Sequence, residues 1–220
     1  MSEMTQARMR SAVVALAPII TLISFLLMPY FSDFTDNAKV AETVNDHPNR
    51  MAWAMVVVAF GLALAILAVF SIRVYVRAAG EERWSFAAVP LVTIGSATLI
   101  LALGAEGLGT AGTINAGGNG EEYLDHVRDW TLPIQYIAGV VMSLGLLSLA
   151  FSIVKSGILS QNTGRLVAVA LVVTIIGNFL PWGWALYVLG VAWLIAYLPV
   201  AYTMWGHAEE PTMQARPSMG

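Results

Sequence analysis

Cysteine is absent from the 220-residue chain, histidine occurs three times, and Asp, Glu, Lys and Arg together make up only 11%. Without thiols there can be no disulfide, no cysteine nucleophile, no iron–sulfur cluster and no thiolate zinc site. A soluble domain carries roughly 25% charged residues, and one with so few would aggregate. The net charge of −3 leaves no basic face, which argues against a nucleic-acid partner. What fills the chain instead is apolar: 58% hydrophobic residues and a mean hydropathy of +0.72.

These residues fall in blocks. Charge-free stretches run 11–32, 51–72, 84–105, 130–154 and 166–208. About 20 apolar residues, at 1.5 Å each, cross a hydrocarbon core of about 30 Å, so each of the first four stretches is one crossing. The fifth is long enough for two, with Pro181-Trp182-Gly183 near its middle as the breaker. The pattern predicts an all-α polytopic integral membrane protein, a single transmembrane domain over 1–220. Its six helices are expected at about 11–31, 51–73, 85–105, 131–154, 166–180 and 184–205. Outer loops are expected at 32–50 and 106–130, with cytoplasmic tails 1–10 and 206–220. The runs are continuously apolar rather than alternating, which rules out barrel strands. The first block has a basic start (Arg8, Arg10) but exceeds a signal-peptide core, so it reads as a retained anchor.

Charge asymmetry sets the expected orientation. With the N-terminus inside, Arg8, Arg10, Arg73, Arg77, Arg83, Lys155, Arg165 and Arg216 are cytoplasmic, whereas Lys39, Arg50 and Arg128 are outside. That agrees with the positive-inside rule for a bacterial-type cytoplasmic membrane. Most of the acids fall on the outer side, from Asp33 to Asp129.

Short signatures recur. Pro18-Ile19-Ile20-Thr21-Leu22 resembles Pro90-Leu91-Val92-Thr93-Ile94, and Leu171-Val172-Val173-Thr174-Ile175 keeps the Thr. Phe70-Ser71-Ile72 matches Phe151-Ser152-Ile153, and Asp46-His47 matches Asp125-His126. Three tandem helical hairpins, 11–76, 85–154 and 166–205, would account for this.

Within the spans the polar residues are hydroxyls plus Asn178, and no ionisable residue is expected in any helix core. Proton relays and voltage sensors need such groups. The glycines of 104–120 predict a flexible loop, and Gly107-Leu108-Gly109-Thr110-Ala111-Gly112 spells a dinucleotide fingerprint with no strand before it. Glu121 to Asp129 predicts a short interfacial helix on which Glu122, His126 and Asp129 share one face. With Asp46 and His47 from the other loop, these five form a candidate divalent-metal site, the single cofactor the sequence suggests.

Three function classes follow. One is a non-catalytic membrane subunit or scaffold that packs against other membrane proteins or itself and presents acidic outer loops. Another is a transporter or channel for an uncharged or apolar solute. The third is an outer-face metal-binding accessory or enzyme using the Asp-His segments. With His47-Pro48-Asn49-Arg50 leading into its second span, the chain resembles, in a generic way, small six-helix bacterial inner-membrane proteins; no function follows from that.

Overall fold

A computed structural model describes residues 3–209, and these form seven helices joined by short connections. They are α1 (Glu3–Leu27), α2 (Asn37–Asp46), α3 (Pro48–Ala78), α4 (Arg83–Asn115), α5 (Gly120–Ser156), α6 (Gln161–Gly177) and α7 (Gly183–Glu209). Five of them are long and apolar enough to cross a membrane; α6, with 17 residues, is apolar but shorter. The fold is thus that of a polytopic helical membrane protein. Arg216, expected in the cytoplasmic tail, lies outside the described residues.

The helices begin where side chains satisfy their free amides. Asp36 accepts from the Lys39 amide at 3.1 Å, Asn119 from the Glu121 and Glu122 amides, and Ser160 from the Thr163 amide. Gly157, at φ +66°, ends α5 in the left-handed conformation glycine tolerates best. The far end of α1 is closed from outside: Arg50 of α3 donates to the carbonyls of Leu27 (2.7 Å) and Leu26 (3.3 Å). A cation there also complements the helix dipole.

Helix neighbours run α1, α3, α4, α5, α6, α7 and back to α1, a closed ring with the start of α1 and the end of α7 on one side. Ser11 of α1 donates to the Ala201 carbonyl of α7 at 2.6 Å, which fixes that closure. Fully buried Trp193, Tyr197, Ile72, Leu146, Leu149, Ile153 and Leu171 fill the interior. The outer surface is apolar as well. Along α3, Trp53, Val56, Phe60, Leu67, Phe70 and Val74 form an exposed stripe at helical spacing.

Lipid is as apolar as leucine, so close backbone approach rather than hydrophobic burial must bind such helices together. Glycine supplies it at the α4–α5 contact. A Cβ on Gly95 would fall 2.8 Å from the Met142 amide, and one on Gly145 would fall 2.8 Å from the Val92 amide. Likewise, a Cβ on Gly61 would meet the Thr21 backbone at 3.2 Å, between α3 and α1.

The helices overrun the uncharged blocks. The segment 106–130, expected as a loop, is helical except around 116–119, and the glycines from Gly104 to Gly112 lie inside α4. Glycine costs a helix about 1 kcal/mol per residue, so the expectation was reasonable on propensity alone. Packing reverses it: Gly107 lies against Met55, and Gly109 lies under the Tyr123 ring, where a Cβ would collide. The expected interfacial helix Glu121–Asp129 is the start of α5, continuous through Pro133 into the apolar portion. The other outer loop holds α2. The break at Pro181-Trp182-Gly183 falls between α6 and α7, as its residues predict.

Gly145→Ala is expected to destabilise the bundle by about 1–3 kcal/mol, the cost of overpacking a closed contact. Gly104→Ala, with open space around the added methyl, should leave stability unchanged or raise it. Thermal unfolding of both variants in the same detergent checks this.

Candidate functional site

The end of the ring away from the chain termini holds the polar machinery. Here α4 and α5 continue past their apolar portions, and α2 lies across them. On α5, Arg128, Thr131 and Gln135 recur at i, i+3 and i+7, so they share one face. That face meets Glu106 of α4. One carboxylate oxygen, Oε1, accepts from Thr131 Oγ1 and Gln135 Nε2, both at 2.5 Å. The other, Oε2, accepts from Arg128 Nε at 3.2 Å. Both charged side chains are buried, at 11% exposure for Glu106 and 8% for Arg128.

Arg128 also reaches the other way. Its Nη1 donates to the Phe34 carbonyl at 2.9 Å and to Asn37 Oδ1. Asn37, the first residue of α2, donates from Nδ2 to Asp125 Oδ1 at 2.6 Å. The Phe34 amide in turn donates to the Pro181 carbonyl at 2.9 Å, tying this segment to the α6–α7 turn. One guanidinium therefore joins α4, α5 and the entry to α2. Desolvating two ions costs several kcal/mol each, and only a pair with its remaining hydrogen-bonding groups satisfied offsets that.

The uncharged blocks carry no ionisable residue, as expected; the buried pair lies beyond them, in the segment 106–130 expected as an outer loop. Glu106 marks the edge of an uncharged block because a charge ends an apolar run, and Arg128 falls in the expected interfacial helix. The helices run on, however, and the two charges turn inward to each other. The polar spacing Arg128, Thr131, Gln135 is the signal that marks the buried face.

The opposite end has its own buried carboxylate. Glu81, in the α3–α4 connection, is 8% exposed. Its Oε1 accepts from the Trp84 amide at 2.8 Å, and its Oε2 accepts from the Ser85 amide at 3.2 Å and Ser152 Oγ at 2.5 Å. It thus caps α4 and fastens it to α5. Burial pushes the carboxyl upward, but the Ser152 hydroxyl and the two amides outweigh it, leaving Glu81 below its ordinary value.

The candidate metal ligands are placed as follows. Glu122, His126 and Asp129 do share a face of α5, and the His126 ring donates from Nδ1 to the Glu122 carbonyl at 2.7 Å. Asp125, His126 and Asp129 line an open groove of about 460 Å³ with Asn37, Arg128 and Leu132. Asp46 ends α2 and His47 joins it to α3 before Pro48, whereas Asp125-His126 lies within a helix. Among the described residues, no three His, Asp or Glu side chains stand together as a metal-binding group.

The exposed acids around this site are Glu42, Asp46, Glu121, Glu122, Asp125 and Asp129. The cations at the same end are all engaged within the chain. Lys39 pairs with Asp36 at 3.0 Å, Arg50 holds the α1 carbonyls, and Arg128 is buried against Glu106. The surface presented is therefore anionic.

Comparison with known proteins gives no match: no family model, no curated protein and no solved structure is similar to this chain.

Two outcomes are expected. Glu106→Gln, which leaves the Arg128 charge buried without its counter-ion, should cost about 3–5 kcal/mol, while Glu106→Leu with Arg128→Met should recover most of that. Thermal unfolding of the single and double variants checks it. For Glu81 the folded pKa lies below the unfolded one. Its contribution is therefore present above the ordinary carboxylate value of 4.5 and is lost as pH falls through the folded value. Glu81→Gln should flatten the acid limb of a stability–pH profile.

Proposed function

We propose that the chain is a non-catalytic integral membrane subunit or scaffold, which packs against other membrane proteins or itself and offers them a rigid acidic face. The observation that carries this reading is the Arg128 clamp. A buried guanidinium holds Phe34 and Asn37 against α4 and α5, so α2 and the start of α5 form one fixed surface. That surface exposes Glu42, Asp46, Glu121, Glu122, Asp125 and Asp129, while the nearby cations are occupied internally. A side chain-filled interior fits a packing role better than a conduit.

In this reading α6 is the sixth crossing. Its 17 residues span about 25 Å, and the bilayer accommodates the shortfall by local thinning. The protein lies in a bacterial-type cytoplasmic membrane, tails inside. The three-hairpin repeat belongs to this reading on the recurring short signatures of the odd and even helices.

Two other readings rest on single observations. The indole Nε1 of Trp193 and the hydroxyl of Tyr197 are buried without hydrogen-bond partners, which favours passage of an uncharged solute. A divalent-metal reading would use Asp46, His47, Glu122, His126 and Asp129; of these, His126 and Asp129 line the groove beside Asp125.

Purification of the full chain in gentle detergent separates the three. A stoichiometric protein partner, or a second copy, is expected by native mass. It should dissociate when Glu42, Glu121 and Glu122 become Gln and Asp129 becomes Asn. A lone chain overturns the subunit reading. If that lone chain carries metal, lost in the His47→Ala, His126→Ala variant, the metal reading replaces it. If it moves uncharged solutes in proteoliposomes, transport does.

A further inference from the structure

The rim nearest the chain termini carries an arrangement that the acidic face does not explain. Three neighbouring helices each place a cation one turn further toward that end than an exposed phenylalanine. The pairs are Phe70 and Arg73 on α3, Phe86 and Arg83 on α4, and Phe151 and Lys155 on α5. Contacts between the helices draw the pairs into one strip. The Arg73 guanidinium lies 5.0 Å from the Phe86 ring centre, and the Lys155 ammonium lies 5.5 Å from that of Trp84. Arg83 approaches the same indole at 5.7 Å, and Trp84 packs on Phe151 at 5.3 Å. Two positive charges thus share one aromatic ring.

Among the described residues, no carboxylate neutralises them. Glu81 is turned inward and fully engaged by Trp84, Ser85 and Ser152. Glu82 pairs instead with Arg77 at 3.2 Å. Among the described residues, Arg73, Arg83 and Lys155 have no acid within ion-pair distance. Like charges gathered without a counter-ion raise the local potential and attract an anion. Below them the surface is apolar: Phe86 is 62% exposed and Phe151 52%, with Leu67, Phe70 and Val154 also exposed on the same side of the cations. Cations therefore lie toward the polar end and bare aromatic rings toward the bilayer interior, the order of head and tail in a lipid.

We propose that Arg73, Arg83 and Lys155 form a binding site for an anionic phospholipid. Its phosphate sits among the three cations against Trp84, and its acyl chains lie along Phe70, Phe86 and Phe151. Phosphate is the shared chemistry, and a lipid is favoured over a free ion because the apolar flank adjoins the charges. The site is independent of the acidic face and of any partner docked there.

The test uses the full chain in a neutral detergent, titrated with phosphatidylglycerol, phosphatidylcholine or inorganic phosphate. Thermal shift and native mass spectrometry read the result. Phosphatidylglycerol is expected to be retained and to raise the unfolding temperature with concentration; phosphatidylcholine and inorganic phosphate are not. At about fivefold per cation, Arg73→Gln, Arg83→Gln, Lys155→Gln should weaken the glycerol lipid on the order of a hundredfold. Its unfolding temperature in phosphatidylcholine should match that of the wild type, which shows that the variant folds. Arg10→Gln, Arg165→Gln, two exposed cations outside the strip, should keep full affinity. Equal binding of the two lipids, undiminished affinity in the triple variant, or an equal loss in the Arg10, Arg165 variant overturns the site. Protection by inorganic phosphate alone overturns the lipid as its source.

Discussion

Glu106 is the residue around which the polar end of the bundle is organised. A carboxylate buried between helices must find donors for both oxygens, because neither water nor lipid is there to supply them. Arg128, Thr131 and Gln135 provide them from one face of α5. Once Arg128 is committed, its remaining donors need acceptors too, and Phe34 and Asn37 become those acceptors. The position of α2 thus follows from satisfying one charge, and the acidic face follows from the position of α2. Glu81 repeats the device at the other end, joining the start of α4 to Ser152 of α5. Between these two polar fasteners the contact is nearly bare backbone at Gly95 and Gly145. The α4–α5 pair is consequently held at three levels by three different interactions.

How much of this was legible in the sequence depended on which signal was read. Apolar block length is a strong signal, and it located the long helices and the break at Pro181-Trp182-Gly183. Where helices end is another matter, because a charge ends an apolar run without ending a helix. Glu106 and Asp129 sit at block edges in the sequence yet lie within α4 and α5, as does Arg128. The glycines of α4 misled for a related reason. Their propensity favours a loop, but the packing of Gly107 on Met55 and Gly109 on Tyr123 depends on tertiary neighbours that no local pattern reveals.

The candidate site divides the same way. The common face of Glu122, His126 and Asp129 was readable, since helical spacing alone fixes it. That His126 engages the Glu122 carbonyl, and that His47 stands at a helix junction, were not readable. The residues that organise the site were passed over because their roles are inward. A basic residue in an acidic segment, such as Arg128, looks like a surface charge until its partner on another helix is known. Arg50 is a similar case: its role is to close α1, whose end lies 23 residues away in the chain.

The length of α5 has a consequence for reach. Its 37 residues rise about 55 Å, more than the 40–45 Å of a whole bilayer with its headgroups. With Lys155 and Trp84 at an interface, as the lipid site proposed above requires, nearly all of the surplus projects from the other side. The tip around Gly117 therefore stands clear of the lipid like a short mast. A protein approaching through the aqueous phase would meet that tip before it met the membrane.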